Sequence, residues 1–305
     1  PLLMEQILES ILAYNNAIAN VLNTYLELVD LDQVQKKWET YENMLQAYDY
    51  KMHKVELIRQ VMEHSRHILP SSSIQFVARS QDSWNTILTR PGEIKPMPLG
   101  MQLEEKSLSY QALEKGEAVF SMHFNHTPKR ISSNENRTEG ASIAIPVLIH
   151  SRRQGLFLIY DEDPLVFNEA IKHKLSNLVR VASLNIQTNT KNGDSDILTN
   201  EYGAFIPDLW EKAIENELLL NRPDLNSWFG LITPENLSAL RTRLRLEELH
   251  TMQRDVVSLI NPSAHATNGI IGSHSDYIYA YIIQSEADDA VEQWLGSINA
   301  RIAGG

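Results

Sequence analysis

The chain has 305 residues, enough for two domains with separate cores. Its hydrophobic fraction of 43% and charged fraction of 22% are ordinary globular values, which exclude collagen-like, low-complexity and wholly disordered classes. A net charge of −12 argues against generic affinity for nucleic acid or anionic membrane. The absence of cysteine excludes disulfides, zinc ribbons, iron–sulfur clusters, thiol catalysis and thioether-linked chromophores.

The opening Pro1-Leu2-Leu3-Met4-Glu5 lacks the basic flank of a signal peptide, and Pro1 fits removal of an initiator Met. No stretch approaches ~18 uninterrupted apolar residues. The expectation is a cytoplasmic protein without membrane insertion.

Ile7, Ile11, Tyr14, Ile18, Val21, Tyr25 and Leu28 follow alternating steps of four and three, a heptad seam. Leu8, Leu12, Ala19, Leu22, Leu26 and Val29 run beside it, so the stripe is wider than a two-stranded seam. Val34, Trp38, Tyr41, Leu45, Tyr48, Met52 and Val55 repeat the spacing in a shifted phase. Asp30 with Gln33, and Asp32 with Gln35, fit capping-box spacing between the two series. This predicts helices over about 3–29 and 33–69 joined by a tight turn; one bent helix is the competing reading. Two such hairpins would make a four-helix homodimer held by Ile7, Ile11, Ile18, Val21, Leu28, Trp38, Tyr41 and Leu45. Packing of the hairpin on its own downstream domain is the alternative.

After Pro70 the period changes. Strands are expected at 73–78, 84–89, 118–122, 141–149 and 156–160, a helix at 108–115 ended by Gly116, and a polar loop at 123–139. A turn is read at 151–155, and a long helix opens at Phe167-Asn168-Glu169. Pro146-Val147, then Gly155-Leu156-Phe157-Leu158, then Phe167-Asn168-Glu169 stand in one order. That order resembles the GAF sensor family. The resemblance covers 53–189 and implies an antiparallel sheet with helices on one face and often a small-molecule pocket on the other. His123 and His126 suggest a haem or metal, and Lys129, Arg130 and Arg137 an anionic ligand. Solvated side chains and an empty domain are the plain alternatives; no cofactor is assigned beyond an unidentified small ligand.

The segment 190–196 reads as a linker. Beyond it come a helix, a strand at 228–233, helical stretches to Ile260, strands at 269–272 and 277–283 around a turn at 273–275, and a last helix over about 287–302. With Asp196-Ile197-Leu198-Thr199 at its start, this order resembles the GGDEF, or diguanylate cyclase, family. The GAF–GGDEF pairing is similar to receptors of bacterial exopolysaccharide secretion, which carry membrane helices that are not seen here.

The departures are chemical. Two-metal nucleotidyl transfer needs carboxylates. The first strand, Gly230-Leu231-Ile232-Thr233, has none, and the signature turn is replaced by His274-Ser275-Asp276-Tyr277. The family's inhibitory cyclic di-GMP site uses an Arg and an Asp where this chain has His265 and Asn268. Ser273, His274 and Asp276 share one tight turn, a poor geometry for a relay. Arg241, Arg243 and Arg245, ahead of Glu247 and Glu248, read as a salt-bridged helix face.

The expected fold is α+β: a helical hairpin or coiled coil at 1–52, a GAF-like domain at 53–189, and a degenerate GGDEF-like domain at 197–305. The expected function is a non-catalytic, dimeric signalling regulator that docks a partner protein, with no metal. The alternatives are a cyclic di-GMP receptor using His265, Asn268, Arg241 and Arg245, and a GAF-based metabolite or haem sensor.

Overall fold

The computed structural model describes residues 2–49, 51–105, 107–123, 140–161, 163, 165–190, 196–220, 222 and 224–304. The chain forms two compact units, 1–49 and 50–305.

The first unit is one helix, α1 (Leu2–Gln46). At 1.5 Å per residue it is about 67 Å long. The tight turn expected near residues 30–32 is absent, so the hairpin is corrected to a single helix. The helix ends at Gln46 and the next begins at Lys54, so the helix expected over 33–69 is interrupted between them, although no glycine or proline lies between Leu2 and Leu69. The candidate capping residues pair along the helix surface instead: Lys36 Nζ meets Asp32 Oδ2 at 2.7 Å, and Gln35 Nε2 donates to Glu39 Oε1 at 2.9 Å. The phase jump is absorbed by two consecutive steps of three, Leu28 to Leu31 to Val34. These are two three-residue insertions in succession, each of which overwinds a coiled-coil seam without ending the helix. Of the expected dimer seam, Ile18, Val21, Leu28 and Trp38 are exposed, whereas Tyr41 is buried and Leu45 half-buried. The side chains of Ile7 and Ile11 lie outside the described residues.

The second unit opens with α2 (Lys54–Ile68). A five-stranded antiparallel sheet follows: β1 (Ser73–Ser80), β2 (Ser83–Arg90), β3 (Val119–His123), β4 (Gly140–Ile149) and β5 (Arg152–Asp161), in the order β2-β1-β5-β4-β3. Alternation splits the side chains between two faces. Phe76 and Phe157, opposite each other with ring centroids 5.0 Å apart, lie on the face covered by α2 and α4 (Glu169–Asn189). Asn168 caps α4 by accepting from the Ile171 N–H.

On the other face, α3 (Leu108–Lys115) and residues 91–105 close over Val77, Leu156, Leu158 and Tyr160. Ile94, Met97, Leu103 and Leu113 fill that space. Gly116 ends α3 in the left-handed conformation, as its position requires.

The turn expected at 151–155 is shorter. His150 and Ser151, at φ 48° and 61°, make a two-residue turn. Its twist matches that of the flanking strands, so Arg152 and Arg153 stay in the ladder opposite Ile149 and Leu148.

The second sheet has three antiparallel strands, β6 (Asn226–Ile232), β7 (Gly269–Ser275) and β8 (Ile278–Ser285), in the order β6-β8-β7. Helices α7 (Leu246–Ile260) and α8 (Ala290–Gly304) cover one face around the fully buried Trp294, with Val257, Ile260, Ile271, Tyr279 and Ile283. Helix α5 (Pro207–Leu220) lies against β7, its Trp210 ring where a Cβ on Gly272 would project. Helix α6 (Leu237–Arg243) links β6 to α7. The expected turn at 273–275 moves outward to Asp276 and Tyr277, because a register shift between Ser273 and Ser275 lets the ladder run to Ser275. Tyr277 takes the positive φ of 66° that closes the turn.

Candidate functional site

Both sheets belong to one compact unit, and polar groups bridge them. Asn216 of α5 reads both backbone groups of Thr89 on the edge strand β2. Its Oδ1 accepts from the Thr89 N–H at 2.7 Å, and its Nδ2 donates to the Thr89 carbonyl at 2.8 Å. Ser263 Oγ donates to Asn85 Oδ1 at 2.8 Å, and Ser80 Oγ to the Gly203 carbonyl at 2.8 Å.

The most deeply buried bridge centres on Gln284 of β8. Its Oε1 accepts from the Leu99 N–H at 2.7 Å, and its Nε2 donates to Glu217 Oε2 at 2.7 Å. Arg222 donates to the Met97 carbonyl at 3.2 Å and lies 3.9 Å from Glu217 Oε1. Glu217 Oε1 and Arg222 Nε make no hydrogen bond among the described residues. Burial pushes the Glu217 carboxyl above its usual range, partly offset by Arg222, and lowers the Arg222 guanidinium. A second buried chain runs from Tyr279 Oη to Gln253, then to Tyr202 Oη, which meets His250 Nδ1 at 3.0 Å. Burial pushes the Tyr279 phenol up to about 12.

A cleft of about 590 Å³ lies at one end of the larger sheet. The β1–β2 hairpin gives it Arg79, Asp82 and Trp84, α3 gives Tyr110 and Glu114, and the β4–β5 turn gives Ser151, Arg152 and Arg153. Asp196, which leads toward the second sheet, completes the wall. The next residue, Ile197, donates its N–H to Gln154 Oε1 of β5 at 3.1 Å. Arg79 is held by the Gln81 carbonyl at 2.8 Å, and Arg153 by the Glu114 carbonyl at 2.6 Å. Arg79 Nη2 also lies 3.6 Å from Asp82 Oδ1, so the cleft sets three guanidiniums beside the carboxylates of Asp82, Glu114 and Asp196. The sequence signal for this site was the basic pair Arg152-Arg153, which was read only as a turn.

The residues singled out in the sequence do not converge. His126, Arg130 and Arg137 lie outside the described residues. His123 ends β3 opposite Gly140, and its side chain is likewise undescribed. His265 uses both ring nitrogens internally, Nε2 on the Leu259 carbonyl at 2.6 Å and Nδ1 on Ser297 Oγ at 2.6 Å. Asn268 accepts the Gln284 N–H at 2.9 Å, extending the ladder. These two precede β7, whereas His274, Ser275, Asp276 and Tyr277 lie at its far end, roughly 20 Å away at strand rise.

At that far end Arg241 stacks on Tyr277 at 4.8 Å and pairs with Asp276 at 4.0 Å. Arg241 thus turns to the hairpin rather than to Glu247 or Glu248. The Arg245 N–H donates to Glu248 at 2.7 Å, capping α7. His274 packs edge-on to Trp210 at 6.3 Å. Among the described residues no group of three His, Asp or Glu is placed to hold a metal, and no helix is long and apolar enough to cross a membrane.

No family model and no curated protein matches the chain. Its solved structural neighbours include GAF domains and free methionine-R-sulfoxide reductases. The GAF domain of an Acinetobacter phosphoenolpyruvate-protein phosphotransferase is 14% identical at a TM-score of 0.42, covering 52% of this chain and 98% of that one. The GAF domain of a Bacillus halodurans two-component sensor histidine kinase gives 13% and 0.38, covering 44% and 93%. The A. aeolicus nlh2 GAF domain in an inactive state gives 11% and 0.39, covering 51% and 98%.

Proposed function

We propose that this chain is a non-catalytic signalling regulator that self-associates through α1. In this reading the larger sheet takes a small anionic ligand in the Arg79–Arg152–Arg153 cleft, and the second sheet docks a partner protein. The observation that carries the reading is Asp196. It lines the cleft, and the adjacent Ile197 is bonded to Gln154 of β5 while leading into the second sheet. A ligand held there bears on the point where one sheet hands over to the other. The polar bridges at Thr89 and Leu99 would carry the strain across, because a packed polar seam has few alternative arrangements.

The cyclase-like resemblance of residues 197–304 is part of this proposal. The β-strand, two helices, hairpin and helix order supports it, while Thr233 and the Asp276-Tyr277 turn supply no paired carboxylates for two-metal chemistry. Cyclic di-GMP binding through His265 and Asn268 is disfavoured, since His265 is consumed by Leu259 and Ser297. The haem reading rests on His123 and His126, whose side chains lie outside the described residues, and nothing observed favours it.

The test is native mass spectrometry of the full chain purified from its own host, with a parallel assay of GTP turnover in magnesium. The expected result is a multimer retaining a small anion, with no turnover. Metal-dependent consumption of GTP would overturn the reading.

A further inference from the structure

The first unit supplies one helix per chain, and that changes the assembly it can build. In heptad terms Ile11, Ile18 and Tyr25 occupy a, and Ile7, Tyr14, Val21 and Leu28 occupy d. Leu8, Leu22 and Val29 fall at e, interrupted by Asn15, and Leu12, Ala19 and Leu26 at b. At about 100° per residue, positions d, a, e and b span an arc of roughly 160°. A two-stranded coil covers only a and d; apolar residues at a, d and a flanking position are the pattern of a helix inside a bundle.

Leu12, Leu22 and Leu26, outside any two-stranded seam, are 54%, 56% and 59% exposed, as open as the seam residue Leu28 at 61%. Seam chemistry points the same way, because β-branched residues stand at both a (Ile11, Ile18) and d (Ile7, Val21). Branching at both positions favours more than two strands.

The occupant is indicated by charge. From Ser10 to Leu26 α1 has no charged residue, although the chain as a whole carries −12. Identical copies of this segment therefore meet without like-charge repulsion, and nothing on it attracts a charged partner. Ala17, at g, keeps part of its remaining surface slim.

We propose that four copies of this chain assemble through α1 as a four-helix bundle centred on Leu12–Leu28. This replaces the dimer of hairpins: with one helix per chain, four helices require four chains. The proposal deepens the self-association reading. A wild-type dimer would overturn it and leave the regulator reading standing, whereas GTP turnover would do the reverse.

The experiment is sedimentation equilibrium and native mass spectrometry of the full chain and three variants. The wild type is expected at the mass of four chains. Leu22→Glu and Leu26→Glu place charge at e and b, and each is expected to abolish the tetramer at micromolar concentration. The unfolding transition of residues 50–305 should be unchanged in both, which separates lost assembly from misfolding. Asn23→Glu, at f and outside the arc, is expected to stay tetrameric. A monomeric, dimeric or trimeric wild type overturns the proposal, and so does wild-type assembly by Leu22→Glu.

Discussion

Gly100 and Gly269 press backbone against backbone where the two sheets meet: a Cβ built on Gly100 would sit 2.1 Å from the Gly269 nitrogen. Gly100 also holds φ +75°, and its N–H donates to the Thr86 carbonyl at 2.8 Å. Space and conformation therefore both demand glycine. Gly100→Ala is expected to destabilise the second unit by about 3 kcal/mol, from a strained φ plus overpacking. Gly296 in α8 is the internal control, since nothing lies within 4 Å of its added Cβ. Gly296→Ala should stabilise by about 0.5–1 kcal/mol through helix propensity. Urea unfolding of both variants checks the pair; equal midpoints would refute the close-contact argument.

Asn216 acts as a piece of backbone. Its amide presents an acceptor and a donor to Thr89 in the pattern of a neighbouring strand, satisfying an edge that would otherwise be open. Asn216→Leu is expected to cost about 2 kcal/mol by leaving both groups unpaired. Amide hydrogen exchange at Thr89 should accelerate in that variant. Unchanged protection at Thr89 would show that α5 merely shields this strand.

Much of the larger sheet was legible because alternation and punctuation agreed there. Gly116, Pro146 and the Asn168 cap each sit where the pattern put them. The hairpin in α1 was misread because a phase shift in a heptad seam has two physical solutions, a turn or a stammer. Asp32 and Gln35 find their partners, Lys36 and Glu39, along the same helix surface, which agrees with the continuous helix. The candidate site was less legible for a different reason. Arg79, Tyr110 and Arg152 are far apart in sequence and meet only through the order β2-β1-β5 and the placement of α3. Asn216, Glu217 and Gln284 read as surface polar residues of a helix and a strand, and only the packing of one sheet on the other makes them interior.

The cleft gives a binding prediction. Inorganic pyrophosphate is the probe, because its charge suits the three guanidiniums lining the cleft, in competition with Asp82, Glu114 and Asp196. Calorimetry should show saturable binding to the full chain, weakened at least tenfold by Arg79→Gln combined with Arg152→Gln, the loss of about 1.4 kcal/mol. The melting temperature should hardly move, because both side chains are exposed. Wild-type affinity in the double variant would remove the cleft as an anion site.

The Glu217–Arg222 pair makes stability depend on pH, with a sign fixed by burial. A carboxyl raised in the folded state binds its proton more tightly there than in the unfolded chain. Its stabilising contribution is therefore full below the unfolded carboxyl range and is lost as pH rises through the folded value. Arg222 limits that loss, because its charge favours the ionised carboxylate 3.9 Å away. Arg222→Met removes the counter-charge and leaves Gln284 as the remaining donor to Glu217. The variant should be less stable than wild type by about 3 kcal/mol at neutral pH, the cost of stranding one partner of a buried pair. The deficit should shrink as the solution is acidified toward pH 4, because protonation then supplies the neutrality that Arg222 no longer provides. Unfolding free energies measured from pH 4 to 8 check this. A deficit independent of pH would mean that Arg222 contributes through packing and its Met97 hydrogen bond alone.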